Sequence, residues 1–149
     1  MRVLFIVPYA PSLIRVRPYQ LLRGLARRGH QIVLMTVWTE EDERSGLQAL
    51  TTRNVQVRSR RMSPWRSVWN CLGALGTRRP LQSIYCWHPG LHRDILRTVR
   101  ESWFDVIHVE HLRGAQYGIH LLRAVERRIP TIWDSVDCIS LLFRQAQKE

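Results

Sequence analysis

Lysine is almost missing from this chain: of its 23 basic residues, only Lys148 is not an arginine. Cysteine is scarce too. Cys71, Cys86 and Cys138 are odd in number and far apart, which argues against a disulfide framework and offers none of the paired spacings of a zinc site. They read as small, buried or half-buried hydrophobes. No apolar run approaches the roughly 20 residues of a membrane-crossing helix. The opening apolar run is broken by Pro8 and followed by no small-residue cleavage site, so a secretory leader is not expected and the cytoplasm is. There is no internal repeat and no low-complexity tract. Glycine is absent before Gly24. A dinucleotide fingerprint needs glycines for the tight turn after its first strand and for close approach of backbone to pyrophosphate. A phosphate loop needs Gly-Lys-Ser/Thr. With neither present, NAD and ATP binding by the usual devices is disfavoured, and with it a Rossmann-type oxidoreductase. No cofactor is expected, and no metal, because no ligand cluster has a recognisable spacing.

What is present is arginine and a formal charge of +11. Guanidinium groups grip phosphate and carboxylate in bidentate fashion and stack on aromatics. The surplus points to an anionic partner, whether nucleic acid, anionic lipid or a phosphorylated small molecule, although solvated helix faces also carry such charge. At 149 residues, 1–149 reads as a single domain with length enough for a core.

The first 29 residues set the architecture. Residues 2–8 form, after Arg2, an unbroken apolar stretch, too short for a buried helix and rich in β-branched residues, which predicts a buried parallel strand. In 17–29, Leu21, Leu22, Leu25 and Ala26 share one helical face. Pro18 suits the first turn, Arg27 and Arg28 the negative end, and Gly29 the left-handed stop. Residues 30–37 begin a second strand, completing a β-α-β unit. Next come a short acidic helix after Thr39, its expected cap, and a third, edge-proximal strand over 55–58. Residues 81–86 read as a short extended segment and His88-Pro89-Gly90 as a turn. A helix follows from Leu91, then a strand over 103–110, a helix opened by Gly114 and stopped by Pro130, and a strand over 131–134. A final helix follows Asp137. Alternation of this kind predicts an α/β fold, a Rossmann-like open parallel sheet of five or more strands with helices on both faces. Its ligands bind at the carboxyl ends of the strands, so loops 8–17, 38–40, 110–114 and 134–137 are the ones to inspect.

In the first loop, which Tyr9 opens, Arg15 and Arg17 stand at the mouth of a helix without a good capping side chain, an arrangement suited to anions. After the fourth strand, Glu110, His111 and Arg113 combine a possible base, a titratable imidazole and a cation. His108 shares a strand side with Glu110 but reads first as a core histidine. Glu110 and His111 are therefore the catalytic candidates. Tyr9, Arg15, Arg17, Arg113, Asp134 and Asp137 are the substrate-binding candidates, with helix capping the competing role for one of the two aspartates.

One further stretch stands apart. Trp65, Val68, Trp69, Leu72 and Leu75 form a helical stripe bracketed by arginines, with Ser63 as cap and Pro64 in the first turn. This is the pattern of an interfacial membrane helix, with Trp65, Arg66 and Trp69 as its contacts. It is equally the pattern of a helix packed on a sheet by its tryptophan face.

The run from Val3 to Pro8, the helix from Arg17 to His30 and the strand after it resemble the opening of family-4 glycosyltransferases of the GT-B fold. Phe104-Asp105-Val106-Ile107-His108-Val109-Glu110-His111 resembles that family's Asp-x-x-His-x-His strand. Asp134-Ser135-Val136-Asp137-Cys138-Ile139-Ser140 is similar to its Asp-x-x-Asp-x-x-Ser stretch. The resemblance implies the N-terminal, acceptor-binding half of a two-domain cleft. It also implies retaining chemistry, a nucleotide-sugar donor, and a lipid-linked, phosphorylated or saccharide acceptor. The chain departs from the family pattern where Tyr9 to Arg17 replace a frequent glycine pair. It departs again where Glu110, with His111 next, stands in place of the second histidine. On this resemblance the nucleotide-binding C-terminal domain is absent from the 149 residues, which are then inactive alone. They would sit in the cytoplasm and on the inner face of an anionic membrane, as part of polysaccharide biosynthesis. The rival expectation is a basic α/β nucleic-acid-binding or regulatory module. Against it, no nucleic-acid motif appears and the aromatics fall at core or helix-stripe spacing.

Overall fold

The apolar opening run becomes β1 (Arg2–Val7), the middle strand of a five-stranded sheet in a computed structural model that describes residues 1–77 and 80–135. The other elements are α1 (Val16–Arg27), β2 (Gln31–Trp38), α2 (Glu41–Ala49), β3 (Val55–Arg61), α3 (Pro64–Ala74), α4 (Leu81–Tyr85), α5 (Pro89–Glu101), β4 (Val106–Glu110), α6 (His111–Ala124) and β5 (Thr131–Asp134). The strands lie in the order β3-β2-β1-β4-β5, all parallel. A parallel sheet covered on both faces needs apolar side chains on both, which is why β1 is continuously hydrophobic rather than alternating. Leu4 and Ile6 join one core with Leu91, Ile95 and Val99 of α5 and Tyr117 and Leu121 of α6. Val3, Phe5 and Val7 join the other with Leu22 of α1 and Leu47 of α2. Each fully buried aliphatic or aromatic side chain here contributes about 1.5–3 kcal/mol.

Local chemistry accounts for several element ends. Gly29 stops α1 at φ +80°. The Ser63 hydroxyl accepts the Arg66 N–H at 3.3 Å to open α3. Tyr117 is wholly buried; its hydroxyl donates to the Cys86 carbonyl and accepts the His88 N–H, both at 2.7 Å, fixing the α4–α5 connection onto α6.

Four local expectations are corrected. Residues 81–85 form the short helix α4, not an extended segment, because Pro80 starts a turn that Ser83 closes by donating to its carbonyl. Pro89 and Gly90 are the first turn of α5, which His88 caps by accepting the Leu91 N–H on Nδ1. Glu40, not Thr39, is the N-cap residue of α2; the Thr39 N–H and hydroxyl donate instead to the Glu43 carboxylate. Finally, α6 starts at His111 and ends at Ala124, short of Pro130, and Leu122 is exposed. The final helix expected after Asp137 lies outside the described residues.

The chain leaves β1 toward β2 and β3 on one side and returns as β4 on the other, so the sheet reverses direction between β1 and β4. That is the topological switch point at which open α/β sheets bind ligands. Helix α6 sits close over it. A methyl group added at Gly114 would stand 2.9 Å from Val109 Cγ1, and one at Gly118 3.2 Å from Cγ2 of the same residue. Gly114→Ala therefore lowers stability by about 1–3 kcal/mol through overpacking, read as a fall in the urea midpoint. An unchanged midpoint would show that α6 has room to shift.

Candidate functional site

The loop after β1 is tied down by its own polar groups. Buried Thr36 on β2 donates its hydroxyl to the Tyr9 carbonyl at 2.8 Å, and Arg15 donates to the Ala10 carbonyl at 3.2 Å. This places Arg15 as the N-cap residue of α1, without a side-chain cap and with no acid in the first turn. The positive end of α1 thus faces the switch point uncompensated by its own sequence.

On β4, alternation sends Ile107 and Val109 toward α6 and His108 and Glu110 toward the α1 side, where His108 stacks on Phe5 at 4.4 Å. Glu110 is 1% exposed, and one of its carboxylate oxygens lies 3.0 Å from His108 Nε2. A carboxylate taken out of water costs several kcal/mol unless it is paired; His108 and Glu110 each satisfy the other. In the next register position Asp134 of β5 lies opposite Glu110 and pairs with Arg17.

A cavity of about 320 Å³ opens here, lined by Tyr9, Arg15, Val16, Arg17, Pro18, Glu110, His111 and Arg113. Six of the eight catalytic and substrate-binding candidates therefore share one wall set, and Asp134 reaches it through Arg17. Asp137 lies outside the described residues. The two guanidiniums expected at the mouth of α1 are there, but each is engaged: Arg17 with Asp134 and Arg15 with Glu43, at 2.9 Å. Arg113 has no carboxylate partner among the described residues and stands over the Tyr9 ring at 5.7 Å, with Arg15 at 5.4 Å. Burial, with the Glu110 charge adding to it, pushes the Tyr9 hydroxyl up to about 12 against the pull of Arg113, Arg15 and Arg17. Tyr9 is therefore a neutral hydrogen-bonding phenol at ordinary pH.

The turn from β4 into α6 is strained. His111 has φ +60°, a left-handed conformation that costs a non-glycine residue on the order of 1–2 kcal/mol. Its Nδ1 is buried with no hydrogen-bond partner among the described residues, while its carbonyl accepts from Trp133 Nε1 at 3.3 Å. Backbone strain and an unsatisfied imidazole at one turn are commonest where a ligand is handled.

Sequence reasoning missed Glu43. The only signal was its position three residues past Glu40, where an acid in a first turn reads as dipole compensation. Burial alone would raise its pKa, but hydrogen bonds from the Thr39 N–H and hydroxyl, with Arg15, hold it below the usual glutamate value. A lowered native pKa means stability present above the unfolded value and lost as pH falls through the native one. Acidification from about pH 6 to pH 3 is therefore expected to lower the melting temperature less in Glu43→Gln than in the parent. An equal loss in both would remove Glu43 from the account.

His108, Glu110 and Asp134 bring one ligand atom each within 4.8 Å of one another. They are the described residues that could hold a metal ion, but the protein already pairs Glu110 with His108 and Asp134 with Arg17.

The arginine-tryptophan helix resolves differently from the site. Trp65 is 74% exposed and Trp69 70%, and Val68, Leu72 and Leu75 are exposed beside them. What α3 turns inward is Ser67 and Ala74, while Asn70 donates to the Trp87 carbonyl at 2.8 Å. The alternative of a tryptophan face packed on the sheet is thus excluded, since the stripe looks outward. No helix among the described residues is long and apolar enough to cross a membrane.

Residues 14–148 match the model of a family described as glycosyl transferase 4-like domain. The chain belongs to that family. No curated protein and no solved structure matches it. For a glycosyl transferase 4-like domain, a parallel sheet with cationic and carboxylate groups gathered at the carboxyl ends of its strands is a surface suited to sugar and phosphate groups. Membership of the family implies binding of a sugar donor and an acceptor in general.

Proposed function

We propose that this domain is the acceptor-binding half of a retaining GT-B glycosyltransferase, and that a second domain holds the nucleotide-sugar donor across the β1–β4 edge. The observation that carries the reading is the convergence of Arg15, Arg17 and Arg113 with Glu110 and His111 on one cavity at the switch point. In this reading the acceptor is lipid-linked, phosphorylated or a saccharide. Its anionic group meets Arg113 and the α1 mouth, and its hydroxyl meets Glu110 and the unsatisfied His111 imidazole. Glu110, oriented by His108, accepts hydrogen from the acceptor hydroxyl, and Tyr9 offers a neutral hydrogen bond. Asp134 and Asp137 complete the acceptor subsite. No metal or cofactor takes part, and the product feeds polysaccharide biosynthesis.

The outward tryptophans of α3, flanked by Arg66, support a reading in which the domain rests on an anionic cytoplasmic membrane face, as suits a lipid-linked acceptor. The test is sugar transfer from nucleotide sugars to lipid-linked and free saccharide acceptors, assayed with residues 1–149 alone and with the domain joined to a nucleotide-sugar-binding partner domain. Transfer is expected only from the joined form. Transfer by the 149 residues alone would overturn the reading, as would salt-dependent DNA or RNA binding without any transfer.

A further inference from the structure

A second cationic cavity lies away from the switch point, between β3 and α5. It measures about 260 Å³ and is lined by Arg58, Ser59, Arg60, Asp94 and Arg97. Its origin is a meeting of two periodicities. Arg58 and Arg60, two residues apart on β3, share a strand side. Asp94, Arg97 and Thr98 occupy one face of α5 at helical i, i+3, i+4 spacing. Where an edge strand would ordinarily offer apolar residues to the covering helix, this one offers two guanidiniums.

Two of the three arginines are held in place. Arg60 grips Asp94 with two hydrogen bonds, at 2.6 and 2.9 Å. Arg58 donates to the buried Thr98 hydroxyl at 2.6 Å, which itself donates to the Asp94 carbonyl at 2.7 Å. Arg97 is exposed and has no carboxylate partner among the described residues. Three guanidiniums thus wall a cavity whose lining holds a single carboxylate, leaving two positive charges uncompensated there. The Asp94 carboxyl is held below the usual range first by the hydrogen bond from Arg60, with the charges of Arg97 and Arg58 adding to it. All three cations therefore bear on one point.

We propose that this cavity binds a phosphate group. Pre-positioned guanidiniums with a forked donor geometry match a phosphate's oxygens better than any neutral ligand. The fixed pairs Arg60–Asp94 and Arg58–Thr98 reduce the ordering cost on binding. The phosphate comes either from a soluble phosphate compound or from a lipid headgroup.

The experiment follows the arginine Nε–H signals by NMR as inorganic phosphate is titrated into the protein. The signals of Arg58, Arg60 and Arg97 are expected to move together and saturate, while that of Arg93, on the outer side of α5, does not follow. Arg97→Gln weakens the affinity about tenfold, as loss of one charge-assisted contact does, and Arg97→Lys retains most of it. Asp94→Asn has the opposite effect and tightens it, because the competing carboxylate charge is gone. Arg123→Gln, at the exposed end of α6 and outside both cavities, leaves it unchanged. Sedimentation with phosphatidylcholine vesicles containing phosphatidic acid then separates the sources. Binding that falls in Arg97→Gln and is displaced by inorganic phosphate assigns the site to a headgroup; vesicle binding indifferent to Arg97→Gln assigns it to soluble phosphate. Signals of Arg58, Arg60 and Arg97 that stay still or drift without saturating would overturn the proposal. So would an affinity unmoved by both Arg97→Gln and Asp94→Asn.

Discussion

With the domain joined to a nucleotide-sugar-binding partner domain, Glu110→Gln is expected to slow sugar transfer about 10²–10⁴-fold, the range ascribed to loss of a positioned proton-transfer group, while the domain stays folded. The amide can keep a hydrogen bond to His108 Nε2, 3.0 Å away, so packing is conserved and only the charge is lost. His108→Ala behaves differently. It leaves a buried carboxylate unpaired, which costs about 3–5 kcal/mol, and lowers the melting temperature as well as the rate. Turnover and thermal melting measured side by side therefore separate the two roles. A Glu110→Gln enzyme with full turnover would assign Glu110 to the core.

Replacing both Trp65 and Trp69 by serine is expected to weaken binding to anionic vesicles by more than a hundredfold. Each indole loses about 1.5–3 kcal/mol of apolar burial at the interface, and each 1.4 kcal/mol is about a factor of ten. Both side chains already face solvent, at 74% and 70% exposure, so their loss removes no core contact and the melting temperature holds. Retained vesicle binding with an intact fold would instead mark the stripe as a docking face for protein. Arg66→Gln is expected to make a smaller, salt-sensitive difference, since one surface charge near an anionic bilayer contributes about 1 kcal/mol.

The sheet was readable because parallel strands buried on both faces leave a signature that competes with little else. The run 3–7 is apolar throughout and 106–110 is apolar but for His108 and Glu110, and the pattern around Pro18 and Gly29 brackets a helix at both ends. The carboxyl-edge loops followed from topology alone, and with them the placement of Tyr9, Arg15, Arg17, Glu110, His111 and Arg113 around one cavity. Less legible were features set by long-range partners. Residues 81–85 have no helical stripe, because α4 gains its order from contact with α3 and α6. The pairings of Arg15 with Glu43 and Arg17 with Asp134 join residues 28 and 117 positions apart, which no local pattern encodes. For α3, periodicity marked the stripe correctly but could not say which way it faced. That depended on the polar side, where Ser67 is buried and Asn70 donates to the Trp87 carbonyl, while the tryptophans face solvent. The strain at His111 was invisible too, since a non-glycine left-handed residue carries no compositional mark.

On the proposed function, acceptor binds at the carboxyl edge of β1 and β4. Backbone and arginine side-chain NMR shifts during titration with geranyl phosphate, a short phosphorylated lipid, report on that edge. Saturable shifts are expected at Tyr9, Arg15, Arg17, Glu110, His111 and Arg113. Shifts confined to the opposite edge of the sheet, around Arg2, Gln31 and Asp105, would contradict it.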